Sequence, residues 1–253
     1  MIQVAGFGYA QARLQARLTT LPADPDWERL AAARTLSGFL EDARTGTLAD
    51  WVKGISAQSR AHDLERGLRR LARERIEKVA GWVPEPWRPA VLWLVWLSCL
   101  PLIEHLARGD LPPEWLVGDE VLGRLVESPN RTRALDADVL ELLAWHDARS
   151  CPVGPHWRRL WIARWPWMAS GSRARLEALI VLVERHLETF RAARPEQTWE
   201  IRRLLRERLR LELHRHPVEP AAVFSYLGLV LLDLERLRGE LLRRALFGPE
   251  AHD

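Results

Sequence analysis

The residue types that could carry out chemistry occur in this chain as isolated pairs. His214 and His216 are separated by one residue, a spacing that a metal ion could use only with further ligands close by. No other His or Cys lies near them in the sequence, so we expect no metal site. Glu74 and Glu77 could form an acid–base pair, but acidic residues on an exposed helix face need no catalytic role to explain them.

The remaining catalytic patterns point the same way. Asp136 and Asp138 form a second acidic pair that a helix start explains equally well. Cys99 lies in an apolar run, where a thiol stays inert, whereas Cys151 lies in a predicted loop and could react. The sequence contains neither a phosphate-binding Gly-rich loop nor a G-x-S-x-G nucleophile elbow. We therefore expect a protein that is not an enzyme and that binds no cofactor.

Three tryptophans are candidates for a binding surface. Trp157, Trp161 and Trp165 recur at four-residue steps with arginines between them, which places the three indoles on one face of a helix. If that face is exposed, it is a contact surface for a membrane interface or an Arg-rich partner. Packing against a neighbouring helix is the alternative.

The elements that must position these residues are all helices. Helical periodicity runs through almost the whole chain, and alternating β-branched runs bounded by turn residues are not found. The sequence therefore predicts an all-α fold. The predicted helices lie at about 8–20, 26–33, 35–44, 47–54, 61–80, 88–107, 119–127, 136–147, 156–168, 172–192, 196–215 and 221–246.

Proline-rich segments divide these helices into three blocks. The breaks near residues 84 and 152 predict helical subdomains at 1–84, 85–152 and 153–253, the last ending in a long C-terminal helix. Several helix starts carry signals of their own. Asp26 and Ser172 are predicted N-caps, and Pro220 suits the first turn of the last helix.

Composition bounds the location and the partners of the protein. Its 253 residues include 37 basic and 34 acidic side chains, which gives a net charge of +3. Because the two signs are nearly balanced, the net charge does not predict a nucleic-acid partner. The N-terminus lacks a basic leader followed by a long apolar block, which predicts a cytoplasmic protein. The longest uncharged run, 89–103, contains Pro101 and falls short of the roughly 20 residues of a membrane span, so we expect a buried helix there.

The two ends of the chain resemble one known family. The first helix is similar to the opening Y-x-x-A-R-hydrophobic-x-A motif of the C-type subunits of bacterial and archaeal V-type ATPases, a family that includes the d-type subunits of the eukaryotic V-ATPase. The matching residues are Tyr9, Ala12, Arg13, Leu14, Ala16 and Arg17. The segment HDLERGLRRLARERI from His62 resembles the D-L-E-x-x-L helix of the family, and DWERLAAARTLSGFL resembles its short second and third helices.

The last helix resembles the closing Y-(L/I)…E-(I/L)-x-N-L-R motif of the same family. The matching positions are Tyr226, Asp233, Leu234, Leu237 and Arg238. Val230 and Leu231 stand where the family has Lys-Glu, and Arg236 stands where it has Asn.

The resemblance implies a funnel of three similar helical subdomains. It also implies a non-catalytic subunit of an H⁺ or Na⁺ pump that connects the central stalk to the proteolipid rotor ring. Such a subunit is peripheral to the inner membrane, meets the membrane only through its partners and binds no nucleic acid. The candidate interaction residues are Trp157, Trp161, Trp165, Tyr226, Asp233 and Arg238.

Two other functions remain open at this point. The chain could be an all-α scaffold or adaptor unrelated to the ATPase, which would use the Trp face or the last helix against a protein partner. Its 35 arginines could alternatively bind nucleic acid, and such binding would weaken steeply with salt.

Overall fold

The structure is a computed structural model that describes residues 6–108 and 153–248, together with positions 110, 111, 116, 119, 123, 141 and 142. The fold is all-α, as the sequence predicts, and no strand occurs within this described part of the chain. The α-helices are α1 (Gly8–Leu18), α2 (Asp24–Ala31), α3 (Leu36–Arg44), α4 (Ala61–Ala80), α5 (Arg88–Leu92), α6 (Leu100–Ala107), α7 (Val153–Ala163), α8 (Ser170–Ala192), α9 (Thr198–Arg215) and α10 (Pro220–Phe247). Short 3₁₀ segments lie at Glu85–Trp87, Trp93–Cys99 and Pro195–Gln197.

The chain forms two compact units. Unit 1 contains Met1–Val91 and Pro166–Asp253, and unit 2 contains Leu92–Trp165. Unit 1 therefore joins the two ends of the sequence. The three subdomains expected at 1–84, 85–152 and 153–253 stay a prediction, because most of the middle block from residue 109 onward lies outside the described residues.

Helix α10 is the centre of unit 1. It begins at Pro220, in the first turn, where the missing N–H is not needed. Every side chain from 220 to 227 is buried, which suits the uncharged first half of the helix. The second half carries charges and buries a single stripe that includes Leu234, Leu237 and Leu241. Helices α1, α3, α4, α8 and α9 all pack against α10.

The neighbours of α10 present matching apolar stripes. On α4 the buried residues recur at three- and four-residue steps: Leu64, Leu68, Ala72, Ile76 and Val79. On α9 the buried residues are Leu205, Leu209 and Leu213. A Cβ added at Gly228 of α10 would lie only 3.0 Å from Cδ1 of Leu209, so the glycine permits the close approach of α9.

A buried arginine fixes the far end of α10. Arg244 is 2% exposed. Its Nε donates to the carbonyl of Ala33 at 2.9 Å, its Nη2 donates to the carbonyl of Leu30 at 3.2 Å, and its Nη1 pairs with Glu240 at 2.5 Å. Burial alone would raise the pKa of Glu240, but the hydrogen bond and charge of Arg244 hold that pKa below its usual value. The pair anchors α10 to the end of α2.

Unit 2 is held together by tryptophans. Helix α6 packs against α7 and against the 3₁₀ segment Trp93–Cys99. The indole of Trp93 donates to the carbonyl of Trp157 at 3.1 Å, and the indole of Trp157 donates to the carbonyl of Trp93 at 3.3 Å. Because a buried indole N–H is costly when it is left without an acceptor, this reciprocal pair lets both rings be buried.

Four local predictions are wrong. The single helix expected at 88–107 is divided by the 3₁₀ segment Trp93–Cys99. The expected helix at 47–54 is a series of turns that bury Leu48, Trp51 and Val52, whose spacing imitates a helix. Asp26 is not the N-cap of α2. The helix begins two residues earlier, and the carboxylate of Asp26 accepts from the N–H of Ala23 at 2.9 Å. Ser172 lies inside α8, which begins at position 170.

One apolar segment has the length and composition of a membrane span. Among the described residues, only Glu85–Leu106 has both features, with a mean hydropathy of 1.5 over an 18-residue window. In the structure 44% of that window is buried. Core helices of soluble proteins meet the same criterion, so length and composition do not by themselves assign the segment to a membrane.

Candidate interaction site

Three of the candidate interaction residues lie on α10, but two of them are internal. Tyr226 is 4% exposed and Asp233 is 1% exposed, whereas Arg238 is exposed. Burial raises the pKa of Tyr226, while the charges of Arg75 and Arg17 oppose the rise. Tyr226 is therefore an internal residue of unit 1.

Asp233 forms a buried ion pair with Arg206 of α9. The same guanidinium donates to the carbonyl of Pro22 at 2.6 Å, so one arginine joins α9, α10 and the segment between α1 and α2. The second carboxylate oxygen of Asp233, Oδ2, is buried without a hydrogen-bond partner among the described residues. Burial raises the pKa of Asp233 to about 6, because desolvation outweighs the charge of Arg206.

Arg236 lies one turn further along α10, between two indole rings. Its guanidinium carbon is 3.6 Å from the ring centroid of Trp199 and 4.7 Å from that of Trp27. It also forms an ion pair with Asp24 at 3.4 Å. Burial lowers the pKa of Arg236 to about 10. Cation–π contacts of this kind compensate a guanidinium for lost water.

The cleft between these groups is small. Asp24, Trp199, Arg206, Asp233 and Arg236 are among its lining residues, and its volume is about 20 Å³. That space holds about one water molecule. The arrangement therefore fastens α9 and α10 together, and the cleft has no room for an organic ligand.

Arg238 is the exposed member of the α10 group. Its Nε donates to Oε1 of Glu65 on α4 at 2.7 Å, and this hydrogen bond raises the pKa of Arg238. The contact joins α4 to α10. An exposed pair of this kind contributes little to stability.

The Trp face is buried in unit 2. The rings of Trp157 and Trp161 stack with their centroids 5.6 Å apart, and Trp165 meets Trp161 edge-on at 5.2 Å. All three are less than 9% exposed. The guanidinium carbon of Arg164 lies 3.6 Å from the ring centroid of Trp93. The structure thus favours the packing alternative for these indoles over a free contact surface.

The residues first considered for chemistry have structural partners. On α4, the carboxylate of Glu74 lies 4.0 Å from the guanidinium of Arg70, and that of Glu77 lies 3.9 Å from that of Arg73. His216 lies at the end of α9, 3.4 Å from Glu212. No group of three or more His, Cys, Asp or Glu residues able to hold a metal occurs in the described part of the chain. Asp136, Asp138 and Cys151 lie outside the described residues.

An open cleft of about 510 Å³ lies beside α3. Its lining includes Ser37, Glu41, Arg44 and Ser56. Arg44 donates to the carbonyl of Ile55 at 2.8 Å, which closes the loop that forms one wall. The lining combines no nucleophile with a positioned base, and we assign no chemistry to this cleft.

The sequence did not reveal Arg206, Arg244 or the stacked Arg236. Their partners are far away in sequence, for example Arg206 with Pro22 and Arg244 with Leu30.

Together, the fold and the contacts define an all-α protein whose first and last helices share one core. Comparison of the chain with protein-family models, with curated proteins and with solved structures finds no significant match in any of the three.

Proposed function

We propose that this protein is a non-catalytic connector of a rotary V-type ATPase that pumps H⁺ or Na⁺. In this role it would couple the central stalk to the membrane rotor ring. One observation carries the proposal. The segments that resemble the opening and closing motifs of the V-type ATPase family lie at opposite ends of the sequence, yet α1 and α10 pack against each other within unit 1.

The contacts at this junction support a paired role for the two motifs. Ala10 and Leu14 of α1 are buried, and both belong to the same helix face. Oε1 of Gln11 accepts a hydrogen bond from the N–H of Val218 at 3.3 Å, just before α10 begins. A connector that transmits torque needs helices fixed to one another in this way, because a loose joint would absorb the rotation.

The proposed partners are the central stalk and the proteolipid ring. The protein would be cytoplasmic and peripheral to the inner membrane, would meet the membrane only through these partners and would bind no nucleic acid. The funnel of three similar subdomains is part of the same proposal.

Co-purification tests the proposal. The tagged chain should be recovered from mildly solubilised native membranes together with ATPase subunits, identified by mass spectrometry against an untagged strain. Recovery of the chain only as a free soluble protein, with no ATPase subunit, would contradict the proposal.

A second candidate is a protein-interaction adaptor unrelated to the ATPase. It is favoured by large apolar side chains that are 43–51% exposed on the α8–α9 hairpin: Val181, Leu187, Leu204 and Leu211. Large apolar side chains with this exposure are candidate contact residues for a protein partner. In the same co-purification, partners that are not ATPase subunits would support this candidate.

A further inference from the structure

Four basic side chains lie on α1 and α4, which are linked by the contact of Arg13 with the ring of Trp82, two residues after the end of α4. Arg13 and Lys78 are exposed, and Arg17 and Arg75 are half-exposed. We call these four residues the basic patch. Arg13 and Arg17 are one turn apart on α1, and Arg75 and Lys78 are one turn apart on α4, so each helix presents its pair on one face.

Aromatic rings hold two of the guanidinium groups in place. The guanidinium carbon of Arg13 is 5.5 Å from the ring centroid of Trp82 and 5.9 Å from that of Tyr9. The guanidinium carbon of Arg75 is 4.9 Å from the ring centroid of Trp51. Stacking against a ring restricts a guanidinium without using its N–H donors, which remain free for an anion.

The four basic side chains are not engaged in ion pairs within the described part of the chain. None of the four residues forms an ion pair with another described residue, in contrast to Arg66, Arg70 and Arg73 on the same helix. Repulsion from Arg17, together with partial burial and the charges of Arg75 and Arg13, lowers the pKa of Lys78. The charges of Arg17, Arg75 and Arg13 thus all act on Lys78, and a bound anion would offset that repulsion.

The surroundings favour a compact acidic group over an extended polyanion. Glu74 and Glu77 are exposed on α4, and Asp50 is exposed near Lys78, so these carboxylates repel any anion that extends past the four cations. A short acidic segment that contacts only the cations avoids this repulsion, whereas a nucleic-acid backbone that runs past the patch does not. A lipid surface would require apolar side chains around the cations. On α1 and α4, the one large apolar side chain exposed among the described residues is Tyr9, at 59%.

We propose that the basic patch of Arg13, Arg17, Arg75 and Lys78 is a docking site for an acidic peptide segment of a partner protein. Planar guanidinium groups bind carboxylates in a bidentate manner, which suits Asp and Glu side chains spaced along such a segment. This inference goes beyond the proposed ATPase role, since it concerns the chemistry of the surface and holds for any acidic partner.

The test uses the full-length protein and a fluorescein-labelled hexaglutamate peptide. Fluorescence anisotropy should show binding that weakens as salt rises, and a hexaglutamine peptide should not bind. The double variant Arg17→Ala with Lys78→Ala should weaken binding at least about tenfold, because each lost charge-assisted contact is worth about that factor. Unchanged thermal unfolding, followed by circular dichroism, would show that this variant is folded.

A matched variant controls for net charge. Arg191→Ala with Arg208→Ala removes two exposed cations from α8 and α9 and should leave peptide binding unchanged. Equal weakening by both double variants, or no binding of hexaglutamate by the wild type, would overturn the proposal. Tighter binding of a single-stranded oligonucleotide or of phosphatidylserine vesicles than of the peptide would also overturn it. These outcomes do not depend on whether ATPase subunits co-purify with the chain.

Discussion

Replacing Asp233 with Asn should make the stability of the protein less dependent on pH. Burial raises the pKa of Asp233 from 3.8 to about 6 in the folded protein. Because the folded pKa is higher than the unfolded one, the stabilising contribution of Asp233 is complete well below about pH 4 and is lost as the pH rises through about 6. An Asn side chain cannot ionise, so the variant lacks this loss.

The size of the effect follows from the pKa shift. About two pKa units correspond to about 3 kcal/mol, of which about 2 kcal/mol falls between about pH 4 and about pH 7.5. The charges that face Asp233 are Arg206 and Arg210 from α9 and Arg236 from α10 itself. Even the lowered pKa of Arg236, about 10, lies well above this pH range. The difference between the two proteins therefore reports the carboxylate.

Urea unfolding at a series of pH values measures this difference. Between about pH 4 and about pH 7.5 the free energy of unfolding of the wild type should fall by about 2 kcal/mol more than that of Asp233→Asn. Glu207→Gln, which changes an exposed carboxylate on α9, should follow the wild type. Parallel curves for the wild type and Asp233→Asn would refute the reasoning. A wild type that gains stability over the variant as pH rises would show that the charge of Arg206 outweighs desolvation.

Other substitutions test the packing of both units by urea or thermal unfolding. Leu237→Ala removes a fully buried side chain of α10 and should cost about 2–5 kcal/mol, whereas Leu246→Ala, half-exposed on the same helix, should cost less than about 0.5 kcal/mol. Arg206→Ala leaves the Asp233 carboxylate buried without a partner and should cost about 3 kcal/mol at neutral pH, against less than about 1 kcal/mol for Arg238→Ala. Trp161→Ala should cost about 3–5 kcal/mol if the indole packs as described, and a change below about 1 kcal/mol would contradict its burial.

Regular helices could be predicted from the sequence because their apolar periodicity is local. The predicted helix at 61–80 coincides with α4, and the one predicted at 221–246 differs from α10 by one residue at each end. The segment 47–54 shows the limit of this approach. Leu48, Trp51 and Val52 have helical spacing, but Gly54 adopts a φ of +82° and the segment is too short to gain much from helix formation.

The surroundings of the candidate residues could not be predicted, because they depend on contacts between distant segments. Periodicity places Trp157, Trp161 and Trp165 on one face of a helix, but it does not say what covers that face. Similarly, the sequence shows Asp233 only as one of several charged residues in the second half of α10. Its ion-pair partner Arg206 lies on α9, 27 residues away in the sequence.

Deletion of the gene tests the connector role most directly. In inverted membrane vesicles from the deletion strain, ATP-driven ion transport should be lost, and expression of the chain from a plasmid should restore it. ATP hydrolysis by the released catalytic head should persist in the soluble fraction of the same cells. Transport at the wild-type rate without the chain would contradict the proposed coupling function.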